Sequence, residues 1–237
     1  MTQMGIKLAA WMIAGAGVVM AVGGNARAAQ ESGSKPAKAS VCAGCHGANG
    51  MGNAAAGFPA LAGLPPKYLD HQLWAFVHGT RRNSVMMGLA KGLDAKSRKQ
   101  LAEYYATMKV TPPKSLPAPP KGDLGRTIAI HGLHTGTPKA VPACESCHGA
   151  GGLGQGEFPR LAGQSEGYLA GQLKDWQSGS RRDALMHIMR KISDKLSAKD
   201  IKAVAEYFAS LSPAPQAAQS GGGSGQGASG SGSSSGK

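Results

Sequence analysis

The sequence predicts an all-α fold: two tandem helical domains of one kind, joined by a Pro-rich linker. Three observations carry the prediction. One series of motifs occurs twice in the same order: Phe58-Pro59-Ala60-Leu61-Ala62-Gly63 matches Phe158-Pro159-Arg160-Leu161-Ala162-Gly163, and Gly79-Thr80-Arg81-Arg82 matches Gly179-Ser180-Arg181-Arg182. Between these blocks Tyr68, Leu69, Gln72 and Leu73 match Tyr168, Leu169, Gln172 and Leu173, positions three and four apart as on one face of a helix. Separating the copies, Thr111 to Gly122 holds Pro112, Pro113, Pro117, Pro119 and Pro120, which favour extended chain over helix or sheet.

Taken in order, the chain opens with a short stretch bearing Lys7, an apolar run from Leu8 to Val22, and the small-x-small sequence Ala26-Arg27-Ala28. This is the layout of a secretory signal peptide over 1–28, cut before Ala29, and it places the mature protein in the periplasm. The run also approaches the length of a membrane span, so a retained anchor is the competing expectation, although Gly15, Gly17, Gly23 and Gly24 dilute it. Residues 29–39 are a small, polar, flexible lead-in. The first domain covers 40–110, with a helix opening at Pro65-Pro66, a loop carrying Met86 and Met87, and a last helix capped by Asp94. After the linker, 111–122, the second domain covers 123–212 and closes on a helix capped by Ser197, with Ile201, Val204, Tyr207 and Phe208 as its apolar stripe. Residues 213–237 are a Gly/Ser-rich tail with nothing to bury, hence disordered.

Cys42-Ala43-Gly44-Cys45-His46 and Cys144-Glu145-Ser146-Cys147-His148 use all four cysteines of the chain. Two thiols with two residues between them can reach both vinyl groups of one porphyrin, and the next imidazole then falls under the iron; the motif is that of covalent c-type haem attachment. Zinc spacings place the histidine or the second cysteine pair further along, a thioredoxin-like dithiol needs a βαβ setting, and a disulfide across so small a loop does little as a staple. The sequence therefore calls for two haem c groups, bound through Cys42, Cys45, Cys144 and Cys147, with His46 and His148 as axial ligands. Each domain is small and aromatics make up only 5% of the chain, so the haem must supply much of the apolar interior.

The sixth ligand decides function, because a filled position suits electron transfer and an open one permits chemistry on a bound molecule. Met86 lies eight residues before Asp94 and Met189 eight before Ser197, which pairs them as the distal ligands. Counting forward from the arginine pairs instead matches Met86 with Met186. Met87, Met186 and His187 therefore stay open as alternatives.

Loss of Lys7 and Arg27 with the signal takes 26 basic residues to 24 against 13 acidic ones, a balance of +11. Export and the lack of a basic run interleaved with aromatics exclude nucleic acid. The charge instead fits an acidic or membrane-bound redox partner, with peripheral association at the membrane surface.

The order C-x-x-C-H, Phe-Pro-x-Leu-Ala-Gly, Tyr-Leu-x-x-Gln-Leu, Gly-x-Arg and a late Met, twice after a signal peptide, resembles the dihaem cytochrome c4 family of tandem class I c-type cytochromes. The resemblance covers about Ser40 to Leu211. It implies His/Met ligation of both haems and two domains about a pseudo-twofold axis, with haem propionates facing the domain interface. It also implies that Pro59 and Pro159 offer carbonyls to the proximal imidazoles and that Arg81 and Arg181 neighbour the propionates; solvated surface arginines are the plainer expectation. The function implied is an electron carrier, not an enzyme, working between respiratory or dehydrogenase donors and an acceptor such as a terminal oxidase. A cytochrome subunit of a dehydrogenase complex, for example a flavoprotein sulfide dehydrogenase, is the alternative. A dihaem peroxidase or thiosulfate dehydrogenase would need an open or unusually ligated iron, and no cysteine is spare.

Overall fold

Proline has a fixed φ and no N–H to leave unpaired, so Pro66 can occupy the first position of a helix without cost. In a computed structural model, which describes residues 35–111, 124–183 and 187–213, that helix is α2, Pro66–Val77. It follows α1, Ala39–His46, and precedes α3, Ser84–Lys91, and α4, Ala95–Thr107. The second half runs α5, Leu124–His131; α6, Glu145–His148; a 3-10 turn, Ala150–Gly152; α7, Glu166–Ser178; α8, Ile188–Ser193; and α9, Ala198–Ser210. Among the described residues there are isolated bridges but no strand, so the fold is all-α. The signal segment, the lead-in before Lys35, the linker from Pro112, Met186 and the tail beyond Pro213 lie outside the described residues.

The caps explain where the late helices begin. Asp94 accepts the backbone N–H of Ser97 at 2.8 Å, and Ser197 forms a reciprocal capping box with Asp200. In the first half, Leu69 of α2 packs with Leu101, Ala102 and Tyr105 of α4 and with Ala39 of α1. In the second, Leu169 of α7 packs with Val204, Ala205, Tyr207 and Phe208 of α9 and with Ile128 of α5. Gly125 lets α5 lie directly on α9, since a Cβ there would come within 2.2 Å of the Ala203 carbonyl oxygen.

Two expectations need correction. Met86 and Met87 sit in a helix, α3, not in a loop: the Asn83 side chain accepts from the Met86 N–H and starts it. The halves also differ before the cysteines. The Cys42 thiol faces the carbonyl of Lys38, 4 residues back, whereas Cys144 faces that of Ile128, 16 back, so an extra loop stands between α5 and α6. The same fastening nevertheless recurs. Lys38 Nζ donates to the Gly92 carbonyl at 2.5 Å, and Lys195 Nζ donates to the Ala140 carbonyl at 2.9 Å, each tying the approach to the haem motif to the end of the methionine helix.

Candidate haem sites

In the first repeat α1 carries Cys42, Cys45 and His46 on one short helix, ended by Gly47 at φ +80°. His46 is buried, and its Nδ1 lies 2.8 Å from the Pro59 carbonyl. A carbonyl oxygen only accepts, so Nδ1 carries the proton and Nε2 keeps its lone pair. Burial pushes the imidazole below its ordinary pKa, against the pull of the Pro59 bond, and so favours this neutral, ligating form. His148 repeats the arrangement, buried, with Nδ1 2.8 Å from the Pro159 carbonyl. Burial raises the Cys42 thiol and raises Cys144 to about 12, the opposite of the lowered values of reactive thiolates.

A cavity of about 900 Å³ opens beside His148. Cys144, Cys147, Met189, Trp176 and Phe208 are among its walls, and Met189 comes from α8, an element separate from the one that carries the histidine. Ala143, Ile188 and Ile192 line it too; their counterparts in the first repeat, Val41, Val85 and Leu89, are large apolar side chains 58%, 57% and 44% exposed. Apolar walls of this kind beside a fixed imidazole and two thiols fit a flat apolar cofactor. Met86 and Met87 are both half-buried on α3. His187 is exposed, with φ 55°, just before α8, and Met186 is outside the described residues.

Arg81 and Arg181 are not solvated: they are only 8% and 3% exposed, at the contact between the repeats. Arg81 donates to Gln72 (2.7 Å), to Tyr168 (2.9 Å) and to Gln172 (2.6 Å). Arg181 answers with Gln172 (2.8 Å), Tyr68 (3.3 Å), Gln72 (2.7 Å) and an ion pair to Asp183 (2.9 Å). The guanidinium groups lie over Phe76 and Trp176, 4.7 Å and 4.1 Å from the ring centres. Backbone bonds from Arg82 to Ser180 and from Arg182 to Thr80 complete the contact. Burial drives the Tyr68 phenol upward, with Tyr168 adding to it and the guanidinium groups of Arg181 and Arg81 opposing it. Tyr68, Tyr168, Arg181 and Asp183 also line the cavity beside His148, so this polar contact forms one end of the site.

Several of these residues escaped the sequence reading. Gln72 and Gln172 stood out only as part of the repeat, and nothing local marked Gln164 or Arg160, both buried at the same contact. The one available signal was the failure of the repeat at Ala60 against Arg160 and Leu64 against Gln164.

A helical domain with a Cys-x-x-Cys-His helix, its imidazole fixed by a proline carbonyl, and a later methionine-bearing helix has the make-up of a c-type cytochrome domain, and the chain has two. The Cytochrome c family model matches residues 30–109 and 139–212. The chain is 43% identical to the thiosulfate dehydrogenase electron acceptor of Thiomonas intermedia, covering 77% of this chain and 84% of that one. It is 36% identical to cytochrome c4 of Pseudomonas aeruginosa over 79% of this chain and 92% of that one. The crystal structure of reduced cytochrome c4 from Pseudomonas stutzeri superposes with a TM-score of 0.65 at 33% identity, covering 73% of this chain and 95% of that one. The chain belongs to the dihaem cytochrome c4 family. Its two haem c groups are bound covalently through the cysteine pairs 42/45 and 144/147, and it is an electron carrier that exchanges electrons with redox partners. No described helix is long and apolar enough to cross a membrane.

Proposed function

We propose that the protein carries single electrons in the periplasm from a thiosulfate-oxidising dehydrogenase to an acceptor such as a terminal oxidase. The 43% identity to a thiosulfate dehydrogenase electron acceptor supports this choice of donor. Residues 40–110 and 123–212 form the two haem domains, with axial pairs His46/Met86 and His148/Met189. Each haem supplies a one-electron ferric/ferrous couple. The observation that best supports this assignment is the cavity with His148 and Met189 both in its walls: with both as ligands, that site would change oxidation state without exchanging them. Pro59 and Pro159 hold the imidazoles in their ligating tautomer. Arg81 and Arg181, charged and buried at the contact between the repeats, attract the haem carboxylates to that end of the sites. The excess of basic over acidic residues attracts an acidic or membrane-bound partner.

The test is stopped-flow mixing of the ferric holoprotein with thiosulfate dehydrogenase and thiosulfate, after a near-infrared spectrum. Both hemes should show the weak sulfur-to-iron band and both should be reduced. High-spin or bis-His signals would remove the ligand assignment. Reduction by other donors but not by this pair would remove the donor. Copurification of a stable complex with the dehydrogenase would make the chain a subunit rather than a shuttle.

A further inference from the structure

One set of hydrogen bonds crosses from the second domain to the segment that fixes the first histidine, and the halves differ at the residues that make it. Gln164, 4% exposed, accepts from the Ala60 N–H at 2.9 Å and donates to the Ala60 carbonyl at 3.1 Å. Backbone polarity fixes the orientation of its amide, since the N–H can only donate and the carbonyl can only accept. Arg160, 2% exposed, adds a bond from Nη2 to the Ala62 carbonyl at 3.2 Å. Ala60 directly follows Pro59, whose carbonyl receives His46.

Within each domain the following residues are held alike: Gly50 O accepts from Leu61 and Ala62, and Gly152 O from Leu161 and Ala162. What differs is the residue between this anchor and the proline. In the first domain it is Ala60, clamped from outside by Gln164. In the second the residue is Arg160, and the position that would supply the reciprocal clamp is Leu64, whose side chain has neither donor nor acceptor.

We propose that Gln164, assisted by Arg160, is a positioning residue for His46: a side chain of the second domain sets the Pro59 carbonyl and hence the ligand strength of the imidazole at the first iron. This rests on the assignment of His46 as a proximal ligand. A firm Nδ1–H···O bond makes the imidazole a more basic ligand and favours the ferric state. Without Gln164 the buried N–H and carbonyl of Ala60 lose their partners, the segment moves, and that bond weakens. The first haem then becomes easier to reduce; Gln164 also lines the cavity beside His148, but it makes no bond to the Pro159 carbonyl, so the His148 Nδ1–H bond stays intact.

The test is Gln164→Leu in the full-length holoprotein, which gives the second repeat the residue the first has at position 64. Ferric proton NMR resolves one hyperfine-shifted Nδ1–H per ligating histidine, and the Overhauser contact to the Ala60 methyl identifies that of His46. This resonance should move and the midpoint of the same haem should rise, while the His148 resonance stays in place. An unmoved His46 resonance overturns the proposal, and so does an equal displacement of the His148 resonance, which marks general loosening of the interface. If the unsubstituted protein has no hyperfine-shifted histidine near Ala60, the ligand assignment itself fails, a different result. Should Gln164→Leu not take up haem, Gln164→Glu keeps an acceptor for the Ala60 N–H and loses the donor to its carbonyl. A smaller shift confined to the first site is then expected, and its absence overturns the proposal.

Discussion

A thioether raises the potential of the iron it ligates and closes that iron to added ligands, so its removal has two separate readouts. Met86→Ala is expected to lower the midpoint of one haem and open it to carbon monoxide, with the other haem nearly unchanged. Redox titration with carbon monoxide addition checks this. If Met87→Ala has the effect instead, the ligand lies about 100° further round α3, the turn per residue of an α-helix. The cysteines and histidines were legible from sequence because their relation is local: five consecutive residues reach one cofactor. Arg81 and Arg181 were not, because their burial exists only once the halves meet, and an Arg-Arg pair viewed alone resembles ordinary surface.

The helices follow the same division between local and distant causes. Caps and three-four periodicity located α2, α4, α7 and α9, whose buried faces are written in their own residues. The short α3 and α8 span only 8 and 6 residues, too few turns for a periodic pattern to stand out, and α3 starts where the Asn83 side chain accepts from the Met86 N–H. Helix α5 was hidden for another reason, since it lies in a Gly-rich stretch and Gly125 looks like a breaker. Its role is contact. Gly125→Ala would press a methyl against the Ala203 carbonyl and Tyr207, an overpacking that typically costs about 1–3 kcal/mol. Denaturant unfolding should show that loss. Ser197→Ala removes the capping box of α9 and should cost about 1 kcal/mol in the same measurement.

At the scale of the whole molecule the interface ties stability to acid. Burial alone would raise the Asp183 carboxyl, but Arg181 beside it holds the pKa below its ordinary value. A depressed carboxylate contributes stability above its unfolded pKa of about 3.9 and loses it as pH falls through the lower folded value. Thermal melting between about pH 5 and pH 2 should therefore show a drop that Asp183→Asn largely removes. Electron exchange with an acidic partner should slow as salt rises, since the screening length is about 8 Å at physiological ionic strength. A stopped-flow rate that stays flat across a salt series would exclude steering.

The pairing of Gly79-Thr80-Arg81-Arg82 with Gly179-Ser180-Arg181-Arg182 joins two copies of nearly the same patch, each arginine reaching the tyrosine and glutamine of the other repeat. Such a contact is isologous, the kind by which identical chains form a closed dimer. A one-domain chain bearing this patch could meet a second copy of itself in the same way, and here a connecting segment joins the two copies. Within one chain the halves can differ: Arg160 and Gln164 stand where the first repeat has Ala60 and Leu64, a difference that the identical chains of a homodimer cannot hold at equivalent positions.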